Sequence, residues 1–513
     1  MLDYNIANSI VRFVGYIICG LVVTVFVNVF CQQLPRKRSE PPLVFHLLPF
    51  FGNAFSYGTN PCNFYKNCQI KYGDVFTFIL FGKKMTVYLG IDGNEFILNG
   101  KLQDVNAEEI YSPLTTPVFG SGIIYDCPNS KLMEQKKFVK FGLTQAALES
   151  YVPLIETEVL NYLKSHVKGP KGRLNISTIM SEITIFTAGR ALQGAEVRQK
   201  LTAEFAEYYH DLDMGFRPIN FLMPWAPLPQ NRRRDAAREK MRSVYMGLIS
   251  DRRTRQKEEE NGDEPDMISH LMTCVYKDGL PLPDKEIAHI MITLLMGGQH
   301  SSSSASAWIM LRLASRPDIL EELYQEQLRA LGADTSKSLQ FSDLSKLPLL
   351  ENVVKETLRV HSSIHSLMRK VMNPLQVPNS EYVITPDKVL VASPIISHLS
   401  EGYFPNAELW NPHRWDDRVE MEAEEDIVDY GYGAMNKGTR SSYLPFGAGR
   451  HRCIGERFAY VNLVTIILTM VRNLKLSTID GKSWVPPTDY ASLFSRPPLS
   501  AEILWERRSS DCI

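Results

Sequence analysis

The chain has 513 residues, 44% of them hydrophobic, and its 56 Lys and Arg against 57 Asp and Glu leave a formal charge of −1. That balance supplies ample apolar surface for a core and no basic excess for neutralising phosphates, so no nucleic acid partner is expected. Eight cysteines, at 19, 31, 62, 68, 127, 274, 453 and 512, lack the density of a disulfide framework and suit a reducing compartment.

Residues 10–31 are almost continuously apolar. About 20 helical residues cross the hydrocarbon layer of a bilayer, so this stretch predicts a single transmembrane anchor. A cleaved signal peptide would have a shorter apolar run and a small-residue cleavage site, neither of which is evident, and Arg36-Lys37-Arg38 follows like a stop-transfer signal. Arg12 can snorkel at the other edge. The positive-inside rule then places the basic flank and the bulk of the chain in the cytosol. Pro35, Pro41, Pro42 and Pro49 predict a stiff connection. With no later break in composition, the expected organisation is an anchor over residues 1–34, a linker over 35–50 and one large domain over 51–513.

Residues 74–88 carry β-branched and aromatic residues interrupted by Phe81-Gly82-Lys83-Lys84, the pattern of a hairpin. Apolar spacing predicts helices over 150–165, 176–193, 198–211, 235–255, 285–315, 317–331, 349–360 and 456–472, with short strands over 371–397. The fold class is therefore mostly α with small sheets. The charged stretches 252–266 and 420–429 read as solvated surface loops.

Within 285–316, Gly297-Gly298-Gln299-His300-Ser301-Ser302-Ser303-Ser304 sits inside a helical pattern. Each interior glycine costs about 1 kcal/mol relative to alanine, and serines compete for backbone bonds, so a distortion here needs a reason. One reason is a close helix crossing. The other is a groove beside a ligand, with His300 and Ser301 able to move protons. Further on, Glu356-Thr357-Leu358-Arg359 puts a carboxylate and a guanidinium on one helical face. Three apolar segments with few polar handles, 114–119, 216–221 and 363–368, carry aromatic and proline residues in irregular stretches and suit a large rigid lipid better than a charged metabolite.

The most informative stretch is Phe446-Gly447-Ala448-Gly449-Arg450-His451-Arg452-Cys453-Ile454-Gly455, one cysteine on a glycine-rich loop before an apolar helix beginning near Glu456. Helix-terminal N–H groups would favour the thiolate, and glycines at 447, 449 and 455 would let the backbone pass beneath a flat macrocycle. A structural zinc site would need a second Cys/His pair, and none follows. The read-out is a haem-thiolate ligand, which directs iron towards O–O cleavage.

The string Phe446-x-x-Gly449-x-His451-x-Cys453-x-Gly455 resembles the haem-binding loop of the cytochromes P450. With Gly298-Gln299-His300 and His451, it resembles their fungal sterol 14α-demethylases. The resemblance spans about residues 42–508, while the anchor matches in character only. It implies a P450 fold holding haem b through Cys453, with electrons from NADPH delivered by a membrane-bound NADPH-cytochrome P450 reductase, and O2 as oxidant. The substrate it implies is lanosterol or its 24-methylene analogue, whose 14α-methyl group leaves as formate after three oxidations, in ergosterol synthesis. It also implies binding of azoles and an endoplasmic reticulum address.

Residue by residue, it implies propionate contacts from Tyr111, Tyr125, Lys136, Arg369 and His451, although local composition does not separate Lys136 from Lys137 or His451 from Arg450. It implies a structural network of Glu356, Arg359 and Arg414, the last within Trp410-x-Pro412-x-Arg414-Trp415. Oxygen and protons fall to His300 and Ser301, where many family members carry threonine in place of Ser301. The sterol pocket would be lined by Tyr111, Leu114, Thr115, Phe119, Tyr125, Phe216, Phe221, Gly297, Ser301, Ser363, Ile364, His365, Ser366 and Leu493.

Overall fold

A computed structural model describes residues 2–201, 203–257, 266–334, 337–416, 427–436, 438–492 and 494–508. The chain forms two compact units, one of Met1–Ala107 with Ser366–Ile396 and one of Glu108–His365 with Ser397–Ile513.

The first unit opens with the helix Leu2–Gln33. Its stretch Arg12–Gln33, with mean hydropathy 2.4 and its apolar side chains exposed, is long enough to cross a membrane and fits a single anchor. The proline-containing segment after it is not a bare spacer. The Gln32 side chain donates to the His46 carbonyl at 2.8 Å and accepts from the His46 N–H at 3.1 Å, and the Asn28 amide donates to His46 and Leu47 carbonyls, each at 3.0 Å. Two polar residues near the end of an otherwise apolar run thus tie the helix to the following segment. That segment joins a sheet through Val44 N–H to Thr77 O at 2.7 Å.

The sheet has five strands, in the order Val75–Leu80, Lys83–Tyr88, Lys388–Ala392, Leu367–Val371 and Val105–Asn106. The expected hairpin is its edge, with Val75 opposite Tyr88 and Leu80 opposite Lys83. Positive φ at both Phe81 (51°) and Gly82 (74°) suits the twist of a two-residue hairpin turn.

The second unit is built round the helix Asp284–Ser315, called the central helix below, most of whose side chains are buried. It packs against helices Ile176–Ala188, Pro229–Lys257, Pro348–Val360 and Glu456–Asn473. A three-stranded antiparallel sheet, Leu474–Ser477, Glu502–Arg507 and Lys171–Asn175, closes one side.

Several expectations need correction. Residues 176–193 form a helix to Ala188 followed by a π turn over Gly189–Gln193, and the helix expected over 198–211 is two, Ala195–Lys200 and Ala203–Asp213. Residues 114–119 are not irregular. They end the helix Glu108–Phe119, which continues through Pro113 and Pro117 because its Ile110, Leu114 and Val118 side are buried. The helix Asn129–Val139 was hidden by its lysines and polar residues. Arg252 is not a loop residue: it lies in Pro229–Lys257, buried, bonded to Glu196 at 2.8 Å and to Asp266 at 2.8 Å. Residues 258–265 and 420–426 of the two charged stretches fall outside the described residues.

Glu356 and Arg359 are wholly buried and paired twice, at 2.8 Å for each oxygen. Glu356 also accepts from Arg414 Nε (2.9 Å), Trp415 Nε1 (3.0 Å) and Asn411 N–H (2.9 Å). Glu356→Ala would strand two guanidiniums, one of them fully buried, so it should destabilise the protein by about 3–5 kcal/mol. Calorimetry checks this, and a variant melting at the wild-type temperature would remove the structural role.

Candidate active site

The Cys453 loop closes on itself, with the Cys453 N–H donating to the Phe446 carbonyl at 3.0 Å. Gly447 (φ 69°) and Gly449 (φ 66°) occupy the left-handed region that the loop needs, whereas Gly455 has an ordinary φ of −87° and starts the helix Glu456–Asn473. Cys453 is enclosed by protein, yet its side chain opens onto an internal space. Burial raises its pKa; the Gly455 N–H and the charges of Lys136 and Arg452 pull the other way and do not win. The expected helix-end N–H is in place at Gly455 and favours the thiolate, but burial outweighs it. Metal ligation has to supply the remaining stabilisation.

The two glycines of the central helix serve different ends. A Cβ on Gly298 would stand 3.1 Å from Leu192 Cδ1 and 3.5 Å from Ala188 Cβ, so this glycine permits a close helix crossing. A Cβ on Gly297 would meet nothing within 4 Å. Gly297 and Ser301, one turn apart, are exposed in a helix otherwise largely buried, and the Ser301 hydroxyl donates to the Gly297 carbonyl at 3.2 Å. The helix is unbroken here. The serines satisfy themselves instead: Ser303 donates to the His300 carbonyl and Ser304 to the Ser495 carbonyl, each at 3.0 Å. The Gly298 position also lies 3.9 Å from Phe458, in the first turn after the cysteine loop. An accessible thiol ringed by protein, with a side-chain-free groove on the helix alongside, fits a flat iron-bearing macrocycle.

Round the loop, Tyr125 packs at 5.8 Å from His451 and 5.1 Å from Tyr111, and Lys136 donates to the Arg450 carbonyl at 2.7 Å. The second unit thus gathers four of the five expected propionate residues about the Cys453 loop. Arg369 belongs to the first unit, buried on the strand Leu367–Val371, with Nη1 on the Met368 carbonyl at 2.8 Å.

An aromatic row runs from Phe119 to Phe216 (5.7 Å), Phe216 to Phe494 (5.2 Å) and Phe494 to His300 (4.3 Å). Phe221 lies on the short helix Pro218–Leu222. Leu114 is buried in the same apolar cluster as Phe216, and the Thr115 hydroxyl donates to the Tyr111 carbonyl at 2.9 Å within its own helix. The Ser363 carbonyl accepts from Ser495 N–H at 2.8 Å, Ile364 is exposed, and His365 is buried 5.9 Å from Tyr490. Ser366, in the first unit, shares its hydroxyl with Tyr57 (3.1 Å) and Tyr65 (2.8 Å). Leu493 lies outside the described residues.

Sequence reasoning missed Asp213 and Arg496. Asp213 Oδ1, buried and without a hydrogen-bond donor among the described residues, faces His300 Nδ1 at 3.3 Å; Arg496 reaches Asp213 at 3.9 Å and Asp489 at 3.4 Å. Burial lowers the His300 pKa, opposed by Asp213 and assisted by Arg496. Nothing local in the sequence signals that pairing. Phe494, by contrast, adjoins Leu493, which the resemblance had implied for the pocket.

A family model described as Cytochrome P450 matches residues 41–505. The chain belongs to the cytochrome P450 family. This P450 is similar to a sterol 14-alpha demethylase of Gibberella zeae, 65% identical over 96% of this chain and 98% of that one, and to one of Aspergillus fumigatus, 61% identical over 97% and 98%. It is also similar to an eburicol 14-alpha-demethylase of Penicillium italicum, 57% identical over 97% and 98%. Among solved structures, a cyanobacterial P450 with bound retinoic acid superposes with a TM-score of 0.74 at 20% identity, covering 92% of this chain and all of that one, which shows the shared fold. Membership brings a haem iron with a cysteine thiolate.

Two measurements follow from this geometry. Gly297→Ala should raise the melting temperature, since the methyl enters open space and removes up to about 1 kcal/mol of helix penalty, while weakening binding in the groove. Gly298→Val should lower it; the reverse pattern would exchange the two roles. Burial holds His365 at about 4 and His398 at about 3, below the ordinary 6.5. Their unfolded forms bind protons first, so the stability they give is complete above about pH 6.5 and lost as pH falls towards 4 and 3. The melting temperature should fall through that window with a shallower slope in His365→Phe, and an unchanged slope would contradict it.

Proposed function

We propose that the protein removes the 14α-methyl group of lanosterol or 24-methylenedihydrolanosterol by three successive oxidations, releasing formate, as a step of ergosterol synthesis. The observation that carries this is the accessible, enclosed Cys453 thiol beside the open Gly297 groove, in a chain 65% identical to a sterol 14-alpha demethylase along nearly its full length. Haem held by Cys453 supplies reductive activation of O2, which a thiolate ligand favours.

The chain's own residues supply position, charge and protons. Tyr111, Tyr125, Lys136 and His451 would hold the carboxylates of the prosthetic group, because buried anions need donors or cations. Gly297 leaves room for the substrate methyl, and Phe119, Phe216, Phe221 and Phe494 give a rigid sterol an apolar wall. Leu114, Thr115, Ser363, Ile364 and His365 complete the proposed lining. His300, neutral because burial lowers its pKa, accepts a proton from the side of Asp213 and passes one towards the Ser301 hydroxyl. Arg496 steadies the Asp213 carboxylate. Azoles would compete at the iron. Electrons come from NADPH through a membrane-bound reductase, and the anchor helix holds the enzyme in the endoplasmic reticulum membrane with its catalytic bulk in the cytosol, where a lipid substrate is concentrated.

The test uses the full chain in lipid nanodiscs with reductase, NADPH and lanosterol. Formate should be released at a rate abolished by Cys453→Ala, and the reduced protein should give a carbon monoxide difference band near 450 nm. Haem-loaded protein with the band but no formate would overturn the sterol assignment. Absence of the band would overturn thiolate ligation.

A further inference from the structure

The turn that carries Tyr125 is held in a conformation its own residues resist. Ile124 has φ 51°, the left-handed region, which a β-branched side chain strongly disfavours. It persists where surrounding structure over-determines it. The side chain of Gln135, on the helix Asn129–Val139 and buried, does this with each of its polar atoms. Its carbonyl oxygen accepts from the Ile124 N–H at 3.3 Å and from the Cys127 thiol at 3.8 Å; its amide donates to the Gly122 carbonyl and to the Tyr276 hydroxyl, each at 2.9 Å. Behind it, Tyr276 donates to Glu286 at 2.6 Å, and Lys131 donates to the other oxygen of Glu286 at 2.7 Å. Glu286 stands in the first turn of the central helix. On the near side, Asp126 bonds the Gly122 N–H at 2.8 Å and Thr116 at 3.1 Å, closing the turn.

We propose that Gln135, backed by Tyr276 and Glu286, is a positioning residue that keeps the Ile124 turn strained and so delivers the Tyr125 hydroxyl to the prosthetic group's carboxylates. It touches neither substrate nor iron. Its effect passes through Tyr125, whose ring lies against His451 and Tyr111. The latch also couples the start of the central helix to the edge of the site through two side chains, Tyr276 and Gln135.

This inference rests on the reading of Tyr125 given above, so the experiment separates the two. Haem transfer to excess apomyoglobin is measured for the full-length enzyme in nanodiscs, with melting temperature followed in parallel. Tyr125→Phe should speed haem loss about tenfold, the loss of one hydrogen bond to a charged group. Gln135→Leu should do the same, and the double variant should be no faster than either, because both remove one contact. Tyr276→Phe, a milder change outside the turn, should give a smaller acceleration in the same direction and covers the case in which Gln135→Leu does not fold. If Tyr125→Phe leaves haem loss unchanged, the reading of Tyr125 falls. If Tyr125→Phe accelerates it while Gln135→Leu and Tyr276→Phe change only the melting temperature, or if the effects of Tyr125→Phe and Gln135→Leu multiply, the latch is overturned.

Discussion

The second unit depends on one buried carboxylate. Glu356 accepts from two arginines, an indole and a backbone N–H, donors that replace the water its burial removes. Its partner Arg359 then spends its remaining donors on the carbonyls of His398 (2.7 Å), Ala407 (2.6 Å) and Leu409 (3.2 Å). Arg414 does likewise with Pro405, Asn406 and Leu409. A stretch with little regular secondary structure, residues 398–416, is thereby fixed by side chains where a sheet or helix would use backbone pairs. The ordered stretch then supports the next one. His398 Nε2 accepts from the Leu444 N–H at 2.8 Å, Trp415 packs 4.9 Å from Tyr443, and two residues beyond Leu444 the Cys453 loop begins at Phe446.

That chain of support explains why a site built on a loop can be precise. The loop's left-handed glycines and its Phe446 to Cys453 hydrogen bond set the thiol's position, and the Lys136 contact to the Arg450 carbonyl fixes its outer edge. On the other side the central helix supplies a face rather than a side chain. Gly298 brings it close to its neighbour, which puts Gly297 one residue further round, where nothing fills the space. Packing and access are thus served by adjacent glycines, each doing what the other cannot.

Charge is distributed with the same economy. Burial lowers the pKa of both His300 and His365, so neither imidazole carries a permanent charge into its apolar surroundings, and the Asp213 carboxylate faces His300. The Cys453 thiol is disfavoured as an anion by the same burial, an effect that metal ligation would reverse.

Much of this was legible in the chain itself. Helix periodicity, the hairpin at Phe81-Gly82, the Glu356 to Arg359 spacing and the cysteine loop are local patterns, and local sterics and hydrogen bonding are what a sequence encodes most directly. The apolar run of the anchor is of that kind too, although the Asn28 and Gln32 clamp within it was not. Tertiary structure decided the rest. It separated the roles of Gly297 and Gly298, which are identical in sequence and differ only in what lies opposite them. It brought Asp213 and Arg496 to His300 from distant segments, and it placed Arg252 inside a helix because Glu196 and Asp266 could neutralise it there. It carried Pro113 and Pro117 through a helix because burial of one face outweighed two missing hydrogen bonds. Each of those outcomes is a contest between groups far apart along the chain, settled by burial and by which partner comes within reach once the core has closed.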